Sequence, residues 1–174
     1  MKPQDISVLC MLIHFGQEKW NFDKLSEAVC LSRGESHKSI KRLIEAQLYN
    51  DIAKKPIFQN AEELFVHGVK YLIPKKVMSV ERGIRTAHSH LVFEDDFSGT
   101  NEKYIWPYFK GKDRGIAIEP ISKNVVEAAL KIGLDRQNIF YTLLALIDAI
   151  RLGKARERKL GREYLKEILN KESK

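Results

Sequence analysis

Phe22-Asp23-Lys24-Leu25-Ser26-Glu27-Ala28-Val29-Cys30-Leu31-Ser32-Arg33-Gly34-Glu35-Ser36-His37-Lys38-Ser39-Ile40-Lys41-Arg42-Leu43 is the stretch that decides how this 174-residue chain is read. Its first part sets Phe22, Leu25, Ala28 and Val29 at helical spacing behind Asn21, whose side chain can accept a free amide at a helix start. Ser32 and Glu35 stand three residues apart, the spacing of a capping box in which each side chain satisfies an amide of the next helix. That helix is expected to run to about Ala46, with Ser36, Ile40, Leu43 and Ile44 on its buried side. Arg33, His37, Lys38 and Lys41 fall on the other side.

Two short helices joined by a tight turn, the second capped by Ser and carrying exposed basic and polar residues, describe a helix-turn-helix. In such a unit the second helix enters the major groove with its N-terminal residues toward base edges, while its capped end presents amides and a positive dipole to phosphate. Gln47–Gln59 contains Leu48, Tyr49, Ile52, Ile57 and Phe58 around Lys54-Lys55-Pro56, and is expected to form a short β-wing with Lys54 and Lys55 at its tip. The expected DNA-contacting set is Ser32, Arg33, Ser36, His37, Lys38, Lys41, Arg42, Lys54 and Lys55.

Working outward, Pro3–Phe15 has helical apolar spacing, with Pro3 to start it and Gly16 to end it. Asn60 is expected to cap a helix over Ala61–Ile73 that Pro74 closes. Lys75–Pro120 reads as irregular, with short strands at His90–Phe93, Lys103–Trp106 and Gly115–Ile118. Ser122 and Asp135 are expected to cap helices ending near Lys131 and Leu152, and a last helix runs to about Lys171. The fold class expected is therefore mainly α with a few short β-strands. It divides into an N-terminal winged helix-turn-helix over residues 1–58 and a mostly helical C-terminal region over residues 59–174, the latter with an irregular β-containing middle.

Charge follows the same division. The chain carries a net +7 and has a sequence pI near 9.3. Residues 122–174 hold 12 basic and 7 acidic side chains, and residues 59–121 hold 9 of each. Arg151, Lys154, Arg156, Arg158, Lys159 and Arg162 form the densest cluster, opposed there only by Glu157. They are expected to give a second basic contact, to phosphate or to a partner protein. The apolar stripe Phe140, Leu143, Leu144, Ile147 and Ile150 is expected to serve partly as core and partly as the seam of a homodimer.

The run Phe22-x-x-Leu25-Ser26-x-x-Val29-x-Leu31-Ser32-x-x-Glu35-Ser36-x-Lys38-x-Ile40-Lys41-Arg42-Leu43, followed by Ala46-Gln47-Leu48, resembles the winged helix-turn-helix of MarR-like bacterial transcriptional regulators. Gln47 departs from the glycine usual at its position. The resemblance covers about a third of the chain. It implies a DNA-binding fold in which Arg33, Ser36, His37, Lys38 and Lys41 face or approach DNA.

Other chemistry finds little support in the sequence. Cys10 and Cys30, both in apolar stretches, do not make a disulfide scaffold. His88-Ser89-His90, close to Glu94-Asp95-Asp96, lacks the helical i, i+4 histidines or Cys partner of a metal site and is expected to be a solvated loop. No phosphate-binding glycine loop, nucleophile elbow or H-E-x-x-H motif occurs, so neither catalytic residues nor a cofactor are expected. The N-terminus lacks a basic leader, and no apolar run is long enough for a span, so a cytoplasmic protein without membrane contact is expected. The expected function is sequence-specific binding of double-stranded DNA as a transcriptional regulator, a repressor acting as a homodimer. The alternative is a protein-interaction module, such as an antitoxin or adaptor, that binds a partner protein and represses its own operon.

Overall fold

In the computed structural model, residues 1–74, 76–97 and 102–174 are described. The chain is mainly helical with small sheets. Helix α1 (Pro3–Phe15) lies at the centre. Its residues from Asp5 to Ile13 are buried, and it packs against both the N-terminal helices and α7 (Ile139–Leu152). Pro3 starts it, as expected, and the Asp5 carboxylate accepts the Lys2 amide at 2.6 Å.

Helix α2 (Phe22–Ala28) begins where Asn21 Oδ1 accepts the Lys24 amide at 2.8 Å. Helix α3 (Arg33–Glu45) begins where Ser32 Oγ accepts the Glu35 amide at 3.2 Å. The second half of the expected capping box is replaced. The Glu35 carboxylate instead accepts from Gln4 Nε2 at 2.9 Å and Lys38 Nζ at 3.1 Å. Strands β1 (Tyr49–Asn50) and β2 (Lys55–Pro56) form a minimal antiparallel hairpin, Tyr49 opposite Pro56 and Asn50 opposite Lys55. Asn50 Oδ1 accepts the amides of Ile52 and Ala53 at 3.0 and 2.9 Å and so closes the turn.

Next comes α4 (Phe58–Glu63), continued by a π turn (Leu64–Gly68) and by α5 (Val69–Leu72). The helix thus starts before Asn60. That side chain does not cap it but donates to the Gln47 carbonyl at 2.7 Å, tying the helix to the end of α3.

The middle of the chain differs most from expectation. Its longest strand, β3 (Val77–Arg85), is one that periodicity does not mark. It pairs antiparallel with both β4 (Tyr104–Pro107) and β5 (Asp113–Ile118), and a short parallel contact between β4 and β5 closes the three into a small barrel. Closure needs glycine. A Cβ on Gly83 would lie 2.0 Å from the Trp106 carbonyl oxygen, and one on Gly115 would lie 2.3 Å from that of Lys103. The expected strand His90–Phe93 is instead a short 3-10 turn, Leu91–Phe93, which follows another at Ala87–Ser89. His88 and His90 are buried there rather than solvated, and His90 Nδ1 accepts the Val92 amide at 3.1 Å.

Helix α6 (Val125–Ile132) starts after Asn124 rather than after Ser122. Asn124 Nδ2 donates to the Val29 carbonyl at 2.7 Å and to Ser7 Oγ at 3.1 Å, joining α6 to α2 and α1. Asn138, not Asp135, caps α7 by accepting the Tyr141 amide at 3.2 Å. Phe140, Leu143, Leu144, Ile147 and Ile150 are all buried within the chain, so this stripe is core and offers no seam to a second copy. Helix α8 (Ala155–Glu172) packs along α7. Among the described residues no helix is long and apolar enough to cross a membrane.

One buried ionic centre fixes the barrel to α7. Asp148 accepts from Thr86 Oγ1, Trp106 Nε1 and Arg151 Nε, each at 2.7 Å, and is fully buried. Arg151 Nη2 reaches the Glu119 carbonyl. Three donors, from Thr86, Trp106 and Arg151, thereby satisfy the buried carboxylate away from water.

Candidate nucleic-acid interface

Helix α3 has two unlike faces. Ser36, Ser39, Ile40 and Leu43 are buried, while Arg33, His37, Lys38 and Lys41 are exposed, as their spacing predicts. The turn of the β1–β2 hairpin holds Lys54, whose φ of 52° belongs to the left-handed region, with Lys55 beside it. Both lysines are exposed. Arg33, Ile40, Tyr49, Lys54 and Lys55, together with the turn from Gly16 to Phe22, line one open cleft of about 740 Å³. The fold therefore brings the start of α3 and the hairpin lysines around a common concavity. Lys19 and Trp20 also line it, and the sequence reading assigned neither a role.

Its electrostatics are mixed but exchangeable. Arg33 Nη1 lies 3.0 Å from Asp23, Lys38 Nζ 3.1 Å from Glu35 and Lys54 Nζ 2.6 Å from Asp51. Exposed pairs of this kind are worth about 0–1 kcal/mol, so phosphate can replace the carboxylate at small cost. Lys41 and Lys55 form no ion pair among the described residues. The His37 ring stacks on Phe22, with centroids 3.4 Å apart and planes 13° from parallel, which orients the imidazole without covering it. Tyr49 is 2% exposed, and its hydroxyl, at the base of the hairpin, has no hydrogen-bond partner among the described residues. Burial pushes that phenol up to about 12.

Two of the nine expected contact residues do not belong to this surface. Ser36 is fully buried, because it lies one turn before Ile40 on the core side of α3. Arg42 is held inward. Its Nε and Nη2 bond both oxygens of the buried Asp5 carboxylate at 2.8 and 2.7 Å, and Nη2 also reaches Ser39 Oγ at 3.0 Å. Burial alone would raise the Asp5 carboxyl, but the Arg42 bond, with the Lys2 amide and Ser39, holds it below its usual range. Ser32, Arg33, His37, Lys38, Lys41, Lys54 and Lys55 remain exposed.

The C-terminal cluster also divides. Arg151 belongs to the buried Asp148 centre and is removed from any contact surface. Lys154 is exposed just before α8. Arg156 lies over the Phe97 ring at 5.2 Å and donates to the Asp96 carbonyl at 3.2 Å. Arg158, Lys159 and Arg162 line a second groove, of about 590 Å³, between α8 and the π turn. His67, Glu163 and Lys166 complete its polar lining. Sequence reading missed His67 and Lys166. Lys166 was legible as the next step of the Arg158, Arg162 spacing, whereas His67 is exposed on the π turn, which no sequence pattern marks.

Compared with family models, with curated proteins and with solved structures, the chain matches none.

Proposed function

We propose that the chain is a winged helix-turn-helix regulator that binds double-stranded DNA sequence-specifically in the cytoplasm, without catalysis. In this reading α3 enters the major groove. Arg33, His37, Lys38 and Lys41 meet base edges and phosphates, and Ser32 with the free amides of the helix start holds a phosphate. Lys54 and Lys55 on the hairpin approach the neighbouring backbone. Each well-placed bidentate base contact supplies about 1–3 kcal/mol of discrimination.

The observation that carries this reading is the two-sided character of α3. Its inner face is fixed by Leu43, Ile40 and the Arg42–Asp5 pair, while its outer face presents four basic or imidazole side chains beside a lysine-tipped hairpin. The residues that resemble MarR-like regulators lie in this same segment. A single reading helix contacts few base pairs, so we further propose that two copies act together as a repressor, paired through a surface other than α7.

The test is fluorescence anisotropy of the full chain against a duplex from upstream of its own gene and a scrambled duplex of equal length. Much tighter binding of the upstream duplex supports the reading. Equal and weak binding of both, or no binding, opposes it.

A further inference from the structure

The groove between the π turn and α8 has the properties of a second site, on a different part of the molecule from α3. Resting on the DNA-binding reading, we propose that this groove takes the phosphate backbone of a nucleic-acid strand without reading its sequence.

The phase of α8 comes first. Gly161, Leu165 and Leu169 are buried. A Cβ on Gly161 would meet Ile150 Cγ1 at 3.2 Å and Ala149 Cβ at 3.4 Å, so α8 approaches α7 closely along this line. With that face committed, Arg158, Arg162 and Lys166 follow one another at intervals of four residues along the groove, about 6 Å per step along the axis. A row of evenly spaced cations suits a row of phosphates better than a single compact anion.

The state of these cations comes second. Lys166 Nζ is held by Glu62 at 3.0 Å, and Lys159 Nζ lies 3.9 Å from Glu163. Arg158 and Arg162 form no ion pair among the described residues, and Arg162 Nε is buried without a hydrogen-bond partner. A guanidinium N–H left unsatisfied away from water is costly, and a phosphate oxygen satisfies it with a charge-assisted bond. The exposed His67 adds two more ring nitrogens on the opposite wall.

The lining comes third. Among the described residues Val66 and Ala155 are its only apolar members, and no Phe, Tyr or Trp lines it. A protein partner would need a buried anchor of that kind to bind firmly. A phosphate backbone needs only the charges.

The test compares the full-length wild-type chain with Arg158→Ala/Arg162→Ala and Arg158→Lys/Arg162→Lys on two long duplexes, upstream and random. Anisotropy is read across about 50 to 200 mM salt. The alanine variant is expected to bind both duplexes roughly tenfold more weakly, with the salt slope smaller by about 2 and the ratio between duplexes unchanged. The lysine variant is expected to retain most of the binding, which separates lost charge from lost fold. Unchanged affinity and slope in the alanine variant overturn this inference alone, leaving the α3 reading intact. A loss confined to the upstream duplex also overturns it. Polyglutamate bound as tightly as duplex, with the same arginine dependence, overturns it in favour of an acidic protein partner. A wild-type chain that binds neither duplex removes the α3 reading together with this one.

Discussion

Arg42, on α3, closes a two-point ion pair on Asp5 in the first turn of α1, with Nε–Oδ2 at 2.8 Å and Nη2–Oδ1 at 2.7 Å. The Asp5 side chain is wholly buried and that of Arg42 is 20% exposed. The pair ties α3 to α1, so a side chain expected to touch DNA is instead turned inward to hold α3 in place. Removing one partner strands a buried charge, and Arg42→Ala is expected to lose about 3 kcal/mol or more of stability. Urea unfolding measures this. A loss below about 0.5 kcal/mol would show that the pair is no anchor.

The same carboxyl predicts a pH response. Its folded pKa lies below the unfolded value, so its contribution is present above about pH 4 and is lost as pH falls through the folded value. His90 acts in a higher window. Burial lowers its pKa to about 3, so the unfolded chain takes up a proton that the folded chain refuses. Stability should therefore fall as pH drops from about 6.5 toward 3, by at most about 1.4 kcal/mol per pH unit from this group. Melting curves of wild type and His90→Asn between pH 7 and 5 test it. An equally steep fall in the variant would assign the effect elsewhere.

Trp106 and Asp148 couple the barrel to α7. Trp106→Phe keeps most of the ring but removes one of three donors to a buried carboxylate, and is expected to cost about 1–3 kcal/mol. Asp148→Ala leaves the Arg151 guanidinium buried and unpaired, with an expected loss of about 3–5 kcal/mol. Chemical denaturation of both variants gives the order, and a larger loss in the tryptophan variant would contradict it.

Gly83 is required by close approach. In Gly83→Ala the new Cβ would sit 2.0 Å from the Trp106 carbonyl, a backbone atom that cannot move without breaking the β3–β4 ladder. A loss of more than about 3 kcal/mol is expected, with weaker amide protection across 77–85 and 104–107. A native-like exchange pattern would count against the barrel as described.

Legibility followed the range of the signals. Asn21 and Ser32 act on amides three residues away, so the starts of α2 and α3 could be read directly. Leu25, Ile40 and Leu43 likewise fell on the buried side that their spacing implied. Strand β3 could not be read, because most of Val77–Arg85 is exposed and has no alternation, and its pairing partners lie far along the chain. Arg42 looked like part of the basic face until a carboxylate 37 residues away claimed it. The helix expected over Ala61–Ile73 gave no sign of the wider turn at Leu64–Gly68, which shifts the helical register and leaves His67 and Leu72 exposed. Arg151 was counted by its charge, and only the fold shows that Asp148 neutralises it in the core.

The central claim is that the outer face of α3 reads DNA sequence, and the most direct test is the ratio of affinities for upstream and scrambled duplexes in Lys38→Ala/Lys41→Ala. Both side chains are exposed and outside the core, so the fold should survive the change. The prediction is that the ratio collapses toward one, while residual binding to both duplexes persists and the salt slope falls by about 2. A variant that keeps the wild-type ratio would contradict it and move sequence reading, if present at all, away from α3.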